Sequence, residues 1–206
     1  AAYGQLPTGL AISVAGTLLI YTSQKKFSIG TVLSYVFGIL LNAFGGLLSV
    51  YEPHDYFPEV SMIILVIIAT AMLLAVNWMV LKVVKGKDRH DIRQFMWFLL
   101  FVAVGQILVI NIIKGPWSRP RLRFITDYPE VAFQPWWVIG NELKEHYLSL
   151  GIGSNEFKSF PSGHTASAAT IFVICALPAI HSYFESKKNL LFWIAFIFTV
   201  GVAVSR

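Results

Sequence analysis

Phe160-Pro161-Ser162-Gly163-His164-Thr165, followed at once by the apolar run Ala166-Ser167-Ala168-Ala169-Thr170-Ile171-Phe172-Val173, is the stretch on which the reading of this chain turns. Pro161 and Gly163 interrupt regular structure, and Ser162 is a preferred residue for capping a helix start. Residues 166–179 then carry no charge, so a loop feeds directly into an apolar helix. Backbone N–H groups at such a start, reinforced by the helix dipole, favour an anion. Ser162 and Gly163 are therefore candidates to hold an oxyanion such as phosphate. His164 beside them can give a proton to a leaving oxygen near neutral pH.

Upstream, Lys114-Gly115-Pro116-Trp117-Ser118-Arg119-Pro120-Arg121-Leu122-Arg123 sets four cations at the end of another apolar run, and Ser205-Arg206 follows a third. Three such clusters resemble the signature of the type 2 phosphatidic acid phosphatase family, which also contains vanadium-dependent haloperoxidases. The family's pattern is Lys, six residues, Arg-Pro; then Pro-Ser-Gly-His; then Ser-Arg, five residues, His, three residues, Asp. Lys114 and Arg121 keep the six-residue spacing, with Leu122 in place of the proline, whereas the literal Arg119-Pro120 pair falls two residues early. Residues 161–164 reproduce the middle motif in full. Ser205 and Arg206 match the opening of the third.

The resemblance covers residues 114–206 and implies a membrane phosphatase that needs neither metal nor cofactor. Lys114, Arg121 and Arg206 would clamp the phosphoryl oxygens, Ser162 and Gly163 would donate hydrogen bonds, and His164 would protonate the departing group. The histidine that attacks phosphorus, and the aspartate that orients it, are expected beyond Arg206. Because the chain starts with Ala1-Ala2-Tyr3 and stops inside the third motif, it is expected to lack both natural ends.

Composition agrees with a membrane protein on independent grounds. Of the 206 residues 56% are hydrophobic and only 13% charged, with a mean hydropathy of +0.65, against about a quarter charged in ordinary soluble domains. The lone Cys175 lies within an apolar run and says nothing of redox compartment. The net charge of +5 is scattered and lines no soluble face, which argues against a nucleic-acid partner. No signal-peptide pattern, internal repeat or low-complexity linker occurs, so a single membrane domain over 1–206 is expected.

A helix needs about 20 apolar residues to cross hydrocarbon. That criterion predicts an all-α polytopic bundle of about six spans, near 6–21, 27–50, 60–81, 94–113, 165–184 and 190–204. The first is short enough to be a re-entrant or interfacial piece, and the family's usual core has three spans before the first motif where this reading counts four. Short basic loops mark the cytoplasmic side. Lys25-Lys26, the cluster Lys82 to Arg93, and Lys187-Lys188 are then inside, with Glu52, Asp55 and Glu59 outside. The loop 114–160 and Arg206 fall on the extracytoplasmic face of a cell membrane.

That loop holds Trp117, Tyr128, Phe133, Trp136, Trp137 and Tyr147. Such aromatics favour the headgroup region, either as a belt that anchors the loop or as a lid over substrate. Residues 142–147 fit a short amphipathic helix, and His146 and His54 are lesser candidates for chemistry. Asn42, Asn77, Gln106 and Asn111 lie within spans and are expected to bond across helices, while Gly38, Gly45 and Gly46 allow close helix approach.

The substrate class that fits is a lipid phosphate or diphosphate, such as phosphatidate, phosphatidylglycerophosphate, a polyprenyl diphosphate or a lipid A phosphate. These present the same head to the same clamp. Two alternatives stay open: transfer of the phosphoryl group to an acceptor headgroup rather than water, and a non-catalytic anion or lipid transporter. Intramembrane charges would favour the transporter, and the spans have almost none. Oligomeric state is not legible.

Overall fold

The computed structural model describes residues 4–23, 27–57 and 59–205. Among them every regular element is helical. The α-helices are α1 (Leu6–Thr22), α2 (Ile29–Tyr56), α3 (Met62–Val84), α4 (Arg89–Trp117), α5 (Leu122–Asp127), α6 (Leu143–Ser149), α7 (Gly163–Ala169), α8 (Leu177–Ile180) and α9 (Lys188–Val204), with 3-10 turns at Ser154–Phe157, Thr170–Ala176 and Ser182–Lys187. Among the described residues five helical segments are long and apolar enough to cross a membrane: Ile29–Tyr51, Met62–Val84, Arg89–Asp127, Gly163–Ile180 and Ser182–Val204. The chain is a multi-pass membrane protein of all-α class. Lys25, Lys26 and Arg206 lie outside the described residues.

The chain divides into two compact units, a bundle of Ala1–Gly105 with His164–Arg206 and an inserted unit of Gln106–Gly163. Within the bundle, α1 covers the short apolar segment expected near 6–21. Its 17 residues give about 26 Å, short of the roughly 30 Å hydrocarbon core. Yet it is no surface piece, because Thr8, Ile12, Ser13, Ala15, Leu18 and Thr22 are all sealed. Small residues bring it against α2: a methyl group on Gly9 would lie 2.7 Å from the Gly45 carbonyl oxygen, and one on Gly16 2.6 Å from that of Gly38. Gly38 and Gly45 thus serve the close approach expected of them, whereas at Gly46 a methyl would meet nothing nearer than Leu73 at 3.5 Å.

Polar side chains lace the same helices. The Asn42 carboxamide oxygen accepts from Ser13 Oγ at 2.7 Å and from Asn77 Nδ2 at 3.1 Å, and Asn77 Nδ2 also donates to Ser13 Oγ at 3.0 Å. Three helices share one knot, as expected for amides at membrane depth. Thr8 Oγ1 donates to the Ser167 carbonyl at 3.2 Å, which ties α1 to α7. Asn111 behaves differently: its amide donates to the Ile107 carbonyl one turn back, an exposed bond within its own helix.

The helix expected over 166–179 is broken. The α7 segment stops at Ala169, a 3-10 stretch covers Thr170–Ala176, and α8 resumes at Leu177. Thr170, Ile171, Val173 and Ile174 are β-branched and crowd the preceding turn. Pro178 has no N–H to give to the carbonyl four residues earlier.

The inserted unit is more than a loop with the short amphipathic helix expected over 142–147, which is present as α6. Phe124 of α5, Val131, Tyr147 of α6 and Phe157 form a sealed core, with Ile125, Tyr128 and Ile152 against it. Phe124 meets Tyr128, Phe157 and Tyr147 at centroid separations of 4.7, 5.0 and 5.1 Å. Aromatic pairs at such separations add about 0.5–1.5 kcal/mol each beyond the area they bury. Phe124 and Phe157 of this core lie a few residues from Arg121 and Ser162 along the chain.

Candidate active site

Lys114 lies in the last turn of α4. After Trp117 the chain leaves the helix through Ser118, whose φ of 47° is left-handed. From there residues 114–121 run alongside 156–163 in the opposite direction. A methyl group on Gly163 would come within 2.9 Å of Lys114 Nζ. The Trp117 and Phe160 rings are 5.5 Å apart. The Ser159 N–H and hydroxyl both donate to the Arg119 carbonyl at 3.1 Å, and the Arg121 N–H donates to the Glu156 carbonyl at 2.8 Å. Seven steps forward from 114 match seven steps back from 163. The segments that carry Lys114 and Gly163, some forty residues apart in sequence, therefore form one laced pair within the inserted unit.

This lacing separates the four cations of the first motif. Arg119 donates through Nε to the Gln134 carbonyl at 2.8 Å and lies over the Phe133 ring at 5.1 Å. Arg121, at the N-cap of α5, donates through Nε to the Asn155 carbonyl at 2.9 Å. Arg123 grips the Glu156 carboxylate with Nε and Nη2, the bidentate geometry of a strong ion pair. Hydrogen bonding from Arg123, ahead of Coulomb attraction, holds the Glu156 carboxyl below its usual range, partly offset by burial. The Arg123 guanidinium is raised by the same partner. Lys114 is the cation whose head meets the second motif.

Gly163 is the first residue of α7, and its missing side chain leaves the Lys114 ammonium close to the backbone at that point. Ser162 directly precedes it, and both residues are half-buried. His164 is the second residue of α7, half-buried, and opens the bundle where the inserted unit ends. Arg206 is outside the described residues. Of the residues named from sequence, the structure thus brings Lys114 and Gly163 together within one unit, with Arg121 held a few residues along the same lacing.

The profile of the PAP2 superfamily matches residues 95–206, more than half of the chain. The chain belongs to that superfamily. No curated protein and no solved structure matches it. PAP2 membership carries a phosphatase-type function in general terms, and the matched region contains both laced segments. An apolar groove of about 780 Å³ between α2 and α3 includes none of the PAP2 motif residues in its lining. Among the described residues no group of three or more His, Cys, Asp or Glu side chains is placed to hold a metal ion.

Sequence reasoning missed the residues that position the motifs. Gln134, 8% exposed, donates to the carbonyls of Val138 and Gly140 at 3.0 and 2.6 Å and accepts from Asn141 Nδ2 at 2.9 Å. Lys144 Nζ donates to Ser118 Oγ at 3.1 Å. A loop glutamine and a loop lysine carry no pattern that reveals such roles. Trp117 and Phe160 offered a signal, since each is an aromatic residue inside or beside a motif.

Proposed function

We propose that this PAP2 protein is an integral-membrane phosphatase acting on a lipid phosphate or diphosphate, without metal, at the extracytoplasmic surface of the cell membrane. Lys114 and Arg121, joined by Arg206, hold the phosphoryl oxygens as charge shifts onto them, with Lys acting as a point charge and Arg as a fork. Ser162 and Gly163 add hydrogen-bond donors. On the resemblance, a histidine that follows Arg206 attacks phosphorus. Its nitrogen bonds to phosphorus as the bond from phosphorus to the lipid oxygen breaks, and His164 gives that oxygen its proton. Water then attacks the phosphohistidine and releases phosphate, restoring the histidine.

The observation that supports this reading most is the Lys114 ammonium against Gly163 in a PAP2 chain. The charge pattern of the short loops supports the orientation. The test is phosphate release by the full-length protein from a panel of lipid phosphates, with magnesium chelated. Release is expected. His164→Ala should slow leaving-group departure by about 10² to 10⁴, and Arg121→Ala should lower kcat/KM at least about tenfold, or ~1.4 kcal/mol. Arg119→Ala should act through stability, since Arg119 is tied to Gln134 and Phe133. Transfer to an acceptor lipid without phosphate release would replace hydrolase by phosphotransferase. Passage of anions across vesicles with no turnover would overturn the enzyme reading.

A further inference from the structure

The aromatics of the inserted unit face two ways. Tyr128 and Tyr147 belong to the core and Trp117 packs on Phe160. Phe133, Trp136, Trp137 and Ile139 are 57–66% exposed, and Val138 between them is 41% exposed. This outward hook is rigidly held. Gln134 binds the carbonyls at 138 and 140 from inside the turn, Arg119 supports Phe133, and Trp136 packs on Phe160 at 6.1 Å and on Trp137 at 5.7 Å. A fixed apolar surface of this kind is unfavourable in water and marks an interaction site.

Its position along the fold indicates what covers it. The hook is hydrogen-bonded to the last residue of the membrane-spanning helix α4: the Trp117 indole donates to the Trp136 carbonyl, and the Gly140 N–H donates to the Trp117 carbonyl at 3.2 Å. The unit's other end passes at Gly163 straight into a second span. The hook is thus fastened to the end of a helix long and apolar enough to cross a membrane, and tryptophan prefers the headgroup layer that such an end meets, because its ring is apolar and its N–H is not. We propose that Phe133, Trp136, Trp137, Val138 and Ile139 dock into the headgroup layer of the bilayer and fix the inserted unit on the membrane surface. This goes beyond the phosphatase reading and does not depend on it.

The experiment uses the full-length protein with its free Cys175 replaced by serine. Trp137→Cys, Ile139→Cys and, as an aqueous reference, Glu145→Cys are each labelled with an environment-sensitive fluorophore and reconstituted into phosphatidylethanolamine–phosphatidylglycerol vesicles. The probes at 137 and 139 should shift to the blue and lose intensity when nitroxide-bearing lipids with a shallow label are added, and the probe at 145 should do neither. Water-like emission at 137 and 139 would overturn the proposal. So would equal quenching at all three positions, or a blue shift that nitroxide lipids leave untouched and that follows protein concentration, which would show a second copy as the partner.

Discussion

On α3 the side chains of Ile63, Ile64, Ile67 and Leu74 are each half exposed or more, while in the inserted unit Phe124, Val131, Tyr147 and Phe157 are sealed. In the inserted unit burial of apolar surface drives folding, as it does in any domain surrounded by water. The bundle has no such gradient between helix and lipid, so α1 and α2 associate through close backbone contact at Gly9 and Gly16 and through the Ser13, Asn42 and Asn77 knot. One chain thus holds two units stabilised by different forces; Lys114, Arg121, Ser162 and Gly163 belong to the one that folds like a soluble domain, and His164 belongs to the bundle.

The largest expected effect comes from emptying the water-type core. Phe157 is 1% exposed, and Phe157→Ala should cost about 3–5 kcal/mol. Hydrogen exchange should rise through 106–163 and leave α1 to α3 protected. Equal loss of protection in both units would break the comparison. Next is Gly16→Val, which forces α1 off the Gly38 carbonyl and should cost about 1–3 kcal/mol, read as a lower thermal midpoint in detergent with protection of 106–163 unchanged.

Smallest is a pH effect confined to the inserted unit. The Tyr147 hydroxyl donates to Glu130 at 2.7 Å, which holds the Glu130 carboxyl low and, with burial, pushes Tyr147 up to about 12. The Glu130 contribution is complete above the ordinary value near 4.5 and is lost as pH falls through its lower folded value. The Tyr147 contribution is complete below 10 and is lost as pH rises toward about 12. Exchange in 143–149 should therefore quicken at both extremes while α1 and α2 stay constant, and Tyr147→Phe should remove the alkaline limb and weaken the acid one, since the same hydroxyl is the main cause of the Glu130 shift.

The spans were legible because hydrocarbon imposes a length and a composition that any window of sequence displays. Asn42, Asn77, Gly38 and Gly45 were legible as packing residues for the same reason, since a polar or side-chain-free position in a span has few other uses. The break at Thr170–Ala176 was written in Pro178 and the β-branched run but was outweighed by their hydrophobicity. The core around Phe124 was hidden because its members are scattered over some thirty residues with no period. The antiparallel match of 114–121 with 156–163 is set by backbone and ring contacts that leave no spacing rule. The motifs themselves were visible, and their lacing was not.

The most direct test of the account is a double-mutant cycle on Lys114 and Gly163. Gly163→Ala places a methyl 2.9 Å from Lys114 Nζ, the mobile tip of its side chain, so the ammonium should move while the fold persists. Phosphate release from a lipid phosphate by the full-length protein would be measured for both single variants and the pair. Each single change is predicted to lower kcat/KM at least about tenfold, ~1.4 kcal/mol, at unchanged thermal midpoint, with the double variant no worse than Lys114→Ala alone. Full activity in Gly163→Ala, or losses that simply add, would contradict the claim that these two residues form one phosphate-binding site.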